Sequence, residues 1–241
     1  MAYDHPRLVA LYDEDNPDGP DHDWFRALAD EKVARTILDL GCGTGLLTVT
    51  LAGSGRTVLG IDPSAAMLEV ARSRPGGEQV QWIHGTSGDI PRGVTADLAV
   101  MSANVVQHLL GEDLGRTLSH LASPLSPGAV LAFESRNPVA RAWEDWAHEG
   151  ETERDTAQGR LRESAEVGPP DGNGVVRCVF TNRFEDGEVV TEELILAFRT
   201  REQIEDALRT AGFDRIQVWR DWQRTPFTGD GPLMVFEARR A

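Results

Sequence analysis

A chain of 241 residues, 40% of them apolar, is long enough to bury the core of one larger α/β domain. Against 24 basic residues stand 39 acidic ones, and the net charge of −15 repels phosphate backbones and anionic membranes, so neither nucleic acid nor membrane is expected as a partner. Lys32 is the only lysine, which excludes a P-loop G-K-[ST] and leaves no Schiff-base lysine in a suitable neighbourhood.

Residues 1–34 precede the first strong pattern. Met1 to Pro6 lacks a charged stretch followed by an apolar one, and no long apolar run follows, so an untargeted, cytoplasmic protein is expected. Pro6 to Tyr12 fits a short helix, and Asp13 to Pro20 is turn-rich and acidic. Asp21 is a reasonable N-cap for a helix with Trp24, Phe25, Leu28 and Ala29 on one face. Arg35 to Asp62 then reads as strand, glycine-rich turn, helix and strand. Thr36-Ile37-Leu38 is a short β-rich run that meets Gly41-Cys42-Gly43-Thr44-Gly45. Leu46, Leu47, Val49, Leu51 and Ala52 form a helical face that stops at Gly53-Ser54-Gly55, and Thr57 to Ile61 is a second buried strand. Glycines at a strand-to-helix turn let a ligand approach the main chain, and a carboxylate at the end of the next strand, here Asp62, lies where a ribose diol would sit. A nucleoside-binding βαβ unit is expected. The glycines run G-x-G-x-G, with Leu46 where the third glycine of a dinucleotide fingerprint would fall. Asp39 before them would repel a pyrophosphate but suits a cationic ligand with an amino group.

Asp39-Leu40-Gly41-Cys42-Gly43-Thr44-Gly45, followed by Asp62, resembles the cofactor loop of the class I S-adenosylmethionine-dependent methyltransferases, and the chain as a whole is similar to their small-molecule members. The resemblance implies a Rossmann-like α/β fold: seven strands, mostly parallel, closed by a C-terminal antiparallel hairpin. It implies S-adenosylmethionine as cofactor and in-line methyl transfer to a nitrogen or oxygen nucleophile of a small molecule. It also implies that the N-terminal segment folds over the cofactor, with Tyr12 reaching the methionine carboxylate; packing of Tyr12 on the sheet is the equal alternative. A nicotinamide-dependent oxidoreductase and a non-catalytic binder of the cofactor are the competing readings.

After Asp62, Pro63 to Arg72 is a capped helix that places Met67 against the purine face. Val80 to His84 is the third strand, and Gly85 to Pro91 is the loop after it. Here the sequence departs from the family pattern, which has an acid directly after the glycine; Thr86 stands there, and Asp89 is the only acid. Thr86 and Ser87 are favoured by register to hold the adenine, with a shifted loop that uses Asp89 as the alternative. Asp97 to Ser102 is the fourth strand, and carbonyls around Met101 and Ser102 are expected to meet the cofactor. Asn104, Gln107 and His108 follow near where the methyl would point, with His108 a candidate proton acceptor. Leu114 to Leu125 is an amphipathic helix and Ala129 to Glu134 the fifth strand, whose end sets Glu134, Arg136 and Asn137 at the edge where an acceptor would dock. Cys42, in the loop, and Cys178, in a strand pattern, have no metal-ligand spacing and read as packed thiols in a reducing cytosol.

Leu161 to Val167, Val175 to Phe184 and Val189 to Phe198 read as three antiparallel strands capping the main sheet, after a charged flank from Glu149 to Arg160 taken as a solvated helix end or loop. Thr200 opens a helix with a capping box completed by Gln203, Gly212 ends it, and Arg215 to Trp219 and Leu233 to Glu237 form the final hairpin. Trp143, Trp146, Trp222 and Phe227 are candidates for an aromatic acceptor wall. One domain is expected: a lid over 1–34, a nucleotide-binding core over 35–138, an insertion over 139–199 and a closing helix and hairpin over 200–241. The acceptor is expected to be small and neutral or cationic, and the protein a monomer or homodimer.

Overall fold

The computed structural model describes every residue except Met1, Ala2, Ser54 and Glu149, and gives no side-chain surroundings for His148. Expectations for the N-terminus, for Ser54 as part of the helix stop and for Glu149 in the charged flank therefore lie outside the described residues. Two helices come first, α1 (Pro6–Asp15) and α2 (Pro20–Glu31). A βα series follows: β1 (Thr36–Leu40), α3 (Thr48–Leu51), β2 (Thr57–Asp62), α4 (Ala65–Ser73), β3 (Val80–His84), β4 (Ala96–Met101), α5 (Asp113–Ala122) and β5 (Leu125–Arg136). Next come α6 (Ala142–His148) and the strands β6 (Thr152–Thr156), β7 (Gly159–Val167), β8 (Val175–Phe184) and β9 (Val189–Ala197). The chain closes with α7 (Arg201–Thr210), β10 (Phe213–Trp219) and β11 (Leu233–Arg240).

The seven-stranded sheet runs β10-β11-β5-β4-β1-β2-β3. Its strands are parallel except at β11, which is antiparallel to both β5 and β10. The expected hairpin is therefore present. Both faces are covered, as the near-continuous apolar strands require. Side chains alternate across a strand, so Ile37 packs with Phe25, Leu28 and Leu51 on one face while Leu38 packs with Leu118, Leu121 and Leu208 on the other. Phe133 of β5 stacks on Phe236 of β11 with centroids 5.0 Å apart, joining the parallel part to the hairpin.

The order β6-β7-β8-β9 makes a second, antiparallel sheet of four strands, one more than the sequence indicated. The extra strand, β6, lies in the flank read as solvated. Its sequence, TERDT, carries no apolar alternation. Cross-strand charges hold it instead: Arg162 Nε donates to the facing Glu153 at 2.5 Å and Arg154 Nε, diagonally, to Glu163 at 2.7 Å. α1 also runs to Asp15, through residues read as turn. α2 starts at Pro20, with Gly19 rather than Asp21 at its N-cap; Asp21 sits in the first turn, where a carboxylate favours the helix N-terminus. Leu11 of α1 packs with Leu161, Phe184 and Val190, so the N-terminal segment is anchored on the small sheet.

Candidate active site

The glycine turn after β1 is folded back on β2: Gly41 N donates to Ile61 O at 2.7 Å and Cys42 N to the same carbonyl at 3.2 Å. Gly41 has φ +75° and Gly45 φ +74°, a region that favours glycine. A Cβ at Gly41 would collide with Val105, and one at Gly45 would come within 2.6 Å of Trp82. The turn then meets Asp62. That carboxylate, 8% exposed, accepts from Gly43 N and from Ser64 N, each at 2.8 Å. Burial raises its pKa, and the two N–H donors pull the other way by favouring the charged form. Ser64 caps α4 by accepting from Met67 N at 3.1 Å, which fixes Met67 one turn into the helix.

Asp62, Pro63, Met67, Thr86, Ser87, His108 and Thr117 line a cavity of about 320 Å³. The loop after β3 turns as a short 3₁₀ segment, Ser87–Asp89. Thr86 N donates to Asp89 Oδ2 at 2.8 Å, so the Asp89 carboxylate closes a capping box on its own loop. Thr86 and Ser87, not Asp89, are on the cavity wall.

A second cavity of about 270 Å³ adjoins it and shares Tyr12, Gly41, Gly43 and Ala103 with the first. Its wall includes Cys42, Ser102, Asn104, Glu134, His22 and Trp222. β4 leaves the sheet through Ala103 and Asn104, at φ +56° and +58°, and Glu134 Oε1 holds this turn by accepting from Asn104 N at 2.6 Å. Glu134 is 2% exposed and burial pushes its carboxyl up to about 8. Its Oε2 and the Asn104 Oδ1 are buried without a protein partner. Two orphaned acceptors beside a glycine turn fit a ligand that brings an ammonium group, and Asp62 in the adjoining cavity fits a ribose. The residues present therefore suit S-adenosylmethionine at both ends.

Some expected site residues stand elsewhere. Asp39 is 1% exposed and lies on neither cavity wall; Thr48 Oγ1 donates to its Oδ2 at 2.6 Å, and burial lifts its carboxyl to about 7. Met101 is fully buried in the core. Gln107 is fully buried too, with its Oε1 accepting from Arg136 Nη1 at 2.9 Å; Arg136 lies outside both walls. Of the four aromatic candidates only Trp222 reaches the cleft. Trp143 and Trp146 pack on Phe198, and Phe227 belongs to the main core.

The N-terminal segment closes the cleft. Tyr3 lines the first cavity, accepts from Ser64 Oγ at 2.9 Å through its carbonyl, and donates from its N–H to Glu192 Oε1 of β9 at 2.8 Å. Its ring meets the edges of Tyr12 at 5.7 Å and His108 at 6.0 Å. Arg7 lies 3.6 Å over the Phe184 ring and pairs with Asp186 and Glu188. Burial pushes the Tyr3 phenol to about 12 and raises that of Tyr12, so both remain hydrogen-bond donors. His108 is exposed at its outer edge, but the protein around it and, secondarily, Arg136 lower its pKa and keep the imidazole neutral at pH 7. Tyr3 and His22 carried no signal in the sequence; each reaches the cleft only because the segment folds back across the turn.

A doubly covered sheet with a reversed last strand, and a glycine turn facing a buried ribose-type acid, define the class I methyltransferase architecture. Residues 37–128 match the methyltransferase domain family. An uncharacterised methyltransferase of Mycobacterium bovis is 31% identical over 177 residues, 73% of this chain and 63% of the relative, so the chain spans less than two thirds of that protein's length. A solved S-adenosylmethionine-dependent methyltransferase from Clostridium acetobutylicum superposes with a TM-score of 0.80 at 16% identity, covering 98% of both chains. The S-adenosylmethionine-bound amino pentose methyltransferase of Micromonospora echinaspora superposes at 0.70 with 22% identity and 97% coverage of both. The chain belongs to the class I S-adenosylmethionine-dependent methyltransferases. Among the described residues no helix is long and apolar enough to cross a membrane.

Proposed function

We propose that this chain, as a single catalytic domain, transfers a methyl group from S-adenosylmethionine to a nitrogen or oxygen nucleophile of a small molecule. The observation that carries the reading is the continuity of the two cavities around Gly41 and Gly43, with a ribose-type acid in one and orphaned acceptors in the other. Bound there, the cofactor supplies an electrophilic methyl group on a sulfonium. Asp62 accepts from the ribose hydroxyls on the lone pairs left free by Gly43 and Ser64. Met67 packs on the adenine and Thr86 and Ser87 bond its edge. The charge of the ammonium favours the ionised form of Glu134, so that Glu134 Oε2 and Asn104 Oδ1 accept from it, and the Tyr12 hydroxyl donates to the carboxylate. The neutral imidazole of His108 takes a proton from the acceptor at a ring nitrogen. Residues 1–34 act as a lid that excludes water, latched by Tyr3 and Arg7 to the small sheet.

Alignment and exclusion of water are the main demands on the protein, and alignment alone can lower a barrier by ~7–11 kcal/mol. The Micromonospora relative methylates an amino pentose, and that substrate class supports a small acceptor here. The test is calorimetric binding of S-adenosylhomocysteine and of NADH, followed by labelled methyl transfer into a fractionated small-molecule extract. Binding of NADH without S-adenosylhomocysteine would favour an oxidoreductase; cofactor binding without transfer to any fraction would favour a non-catalytic binder.

A further inference from the structure

Arg136 ends β5 on the same face as Glu134, beside the seam between the large and small sheets. Its guanidinium lies 5.0 Å from the Trp146 ring centroid and, among the described residues, makes one hydrogen bond, from Nη1 to Gln107 Oε1. No Asp or Glu oxygen among the described residues pairs with it, whereas Arg7, Arg26, Arg56, Arg74, Arg154 and Arg224 each have a carboxylate. Arg199 and Arg240 are half-buried without a carboxylate too, but each donates two hydrogen bonds to backbone carbonyls, whereas Arg136 is left with donors to spare, and desolvating an unpaired charge costs several kcal/mol in general. Glu134 does not fill the role: it forms no ion pair with Arg136, and its Oε1 is engaged by Asn104 N. The other groups that feel the Arg136 charge are Tyr3, His108 and Cys178, all neutral at pH 7. Gln107 supports the site from below. It is fully buried, its Oε1 orients the guanidinium, and its Nε2 has no protein partner.

We propose that Arg136 binds an oxyanion group of the methyl acceptor, a carboxylate or a phosphate. The planar guanidinium fork suits bidentate pairing with either, and its charge is felt by Tyr3 and His108, which line the cofactor cavity and include the proposed proton acceptor. The proposal rests on the methyltransferase reading and deepens it. It also narrows the expectation of a neutral or cationic acceptor, which followed from the charge of the whole molecule: a desolvated local cation outweighs a screened global field at contact distance.

The test titrates the full-length protein, saturated with S-adenosylhomocysteine, with benzoate, succinate, inorganic phosphate and the amine tyramine. Arg136→Gln and Arg136→Lys are titrated in parallel. Wild type should bind at least one of the anions, and Arg136→Gln should weaken that binding by about tenfold or more, a change of ~1.4 kcal/mol. Arg136→Lys, with charge but no fork, should fall between. Preference for benzoate or succinate assigns a carboxylate acceptor, and preference for phosphate a phosphorylated one. Affinity for S-adenosylhomocysteine should be the same in all three proteins; an equal loss of it in Arg136→Gln would mean that Arg136 serves the cofactor and would overturn the proposal. Binding of tyramine alone, or of none of the four probes, would overturn it as well. Failure of wild type to bind S-adenosylhomocysteine would instead bring down the methyltransferase reading and the proposal with it.

Discussion

Replacing Asp62 by alanine removes a carboxylate with two separable duties. In the ligand-free protein it accepts from Gly43 N and Ser64 N at 2.8 Å each, tying the glycine turn to the start of α4. Leaving buried N–H groups without an acceptor costs about 1–3 kcal/mol each, so the variant should melt measurably lower. With cofactor bound, the same carboxylate accepts from two ribose hydroxyls, and bonds to a charged group are worth about 1.5–3 kcal/mol each. Burial offsets part of this by holding the Asp62 pKa up. A loss of binding of at least about tenfold is the conservative expectation. Asp62→Asn removes the charge but keeps one acceptor oxygen for one of the two N–H groups, its amide nitrogen facing the other; it should also bind poorly, and its melt shows what one retained bond is worth. Calorimetric titration with S-adenosylhomocysteine, beside a thermal melt, reads both. A folded Asp62→Ala protein with wild-type affinity would refute the assignment, because the ribose would then be held elsewhere.

Other expectations follow from the same geometry. Thr86→Val should weaken S-adenosylhomocysteine binding while Asp89→Asn should barely alter it, because an Asn oxygen can still accept from Thr86 N; the reverse ranking in calorimetry would put Asp89 on the adenine. Glu134 has a folded pKa of about 8 against an unfolded 4.5, so its contribution to stability is fully present below pH 4.5 and is lost as pH rises toward 8. Glu134→Gln should flatten that slope in denaturant titrations across this window, and an unchanged slope would contradict the burial argument. Phe236→Ala should lower unfolding free energy by about 3–5 kcal/mol, since it empties the stack with Phe133; a change under about 1 kcal/mol would show that the seam can collapse. Hydrogen exchange over residues 3–34 should slow when S-adenosylhomocysteine is added, and equal protection with and without ligand would rule out a lid.

The βαβ unit was legible because its signals are local. Glycines at 41, 43 and 45 are forced by φ and by Val105 and Trp82, and a strand-ending acid needs no long-range partner to be recognised. The final hairpin was legible for the same reason, being a strand pattern where a βα unit was due. β6 was not, because its stability comes from cross-strand charges on β7 that pairing alone reveals. Motif reading also placed Asp39 at the ligand, where its position before the glycines suggests it; in three dimensions it turns inward to Thr48 and reaches neither cavity. Glu134 was visible only as an edge residue, since its orphaned oxygen depends on how Asn104 crosses from β4. Tyr3 enters the site through contacts with Ser64 and Glu192, 61 and 189 residues away in sequence.

Whether the methyl group goes to a small molecule is decided by where a label ends up. Full-length protein is incubated with methyl-labelled S-adenosylmethionine and, in separate reactions, with a protein-free small-molecule extract, with RNA and with DNA. Label should appear in a low-mass product of the extract, that product should be lost in Asp62→Ala, and neither nucleic acid should carry label. Label on RNA or DNA, or stimulation of transfer by them without a low-mass product, would contradict small-molecule methyl transfer.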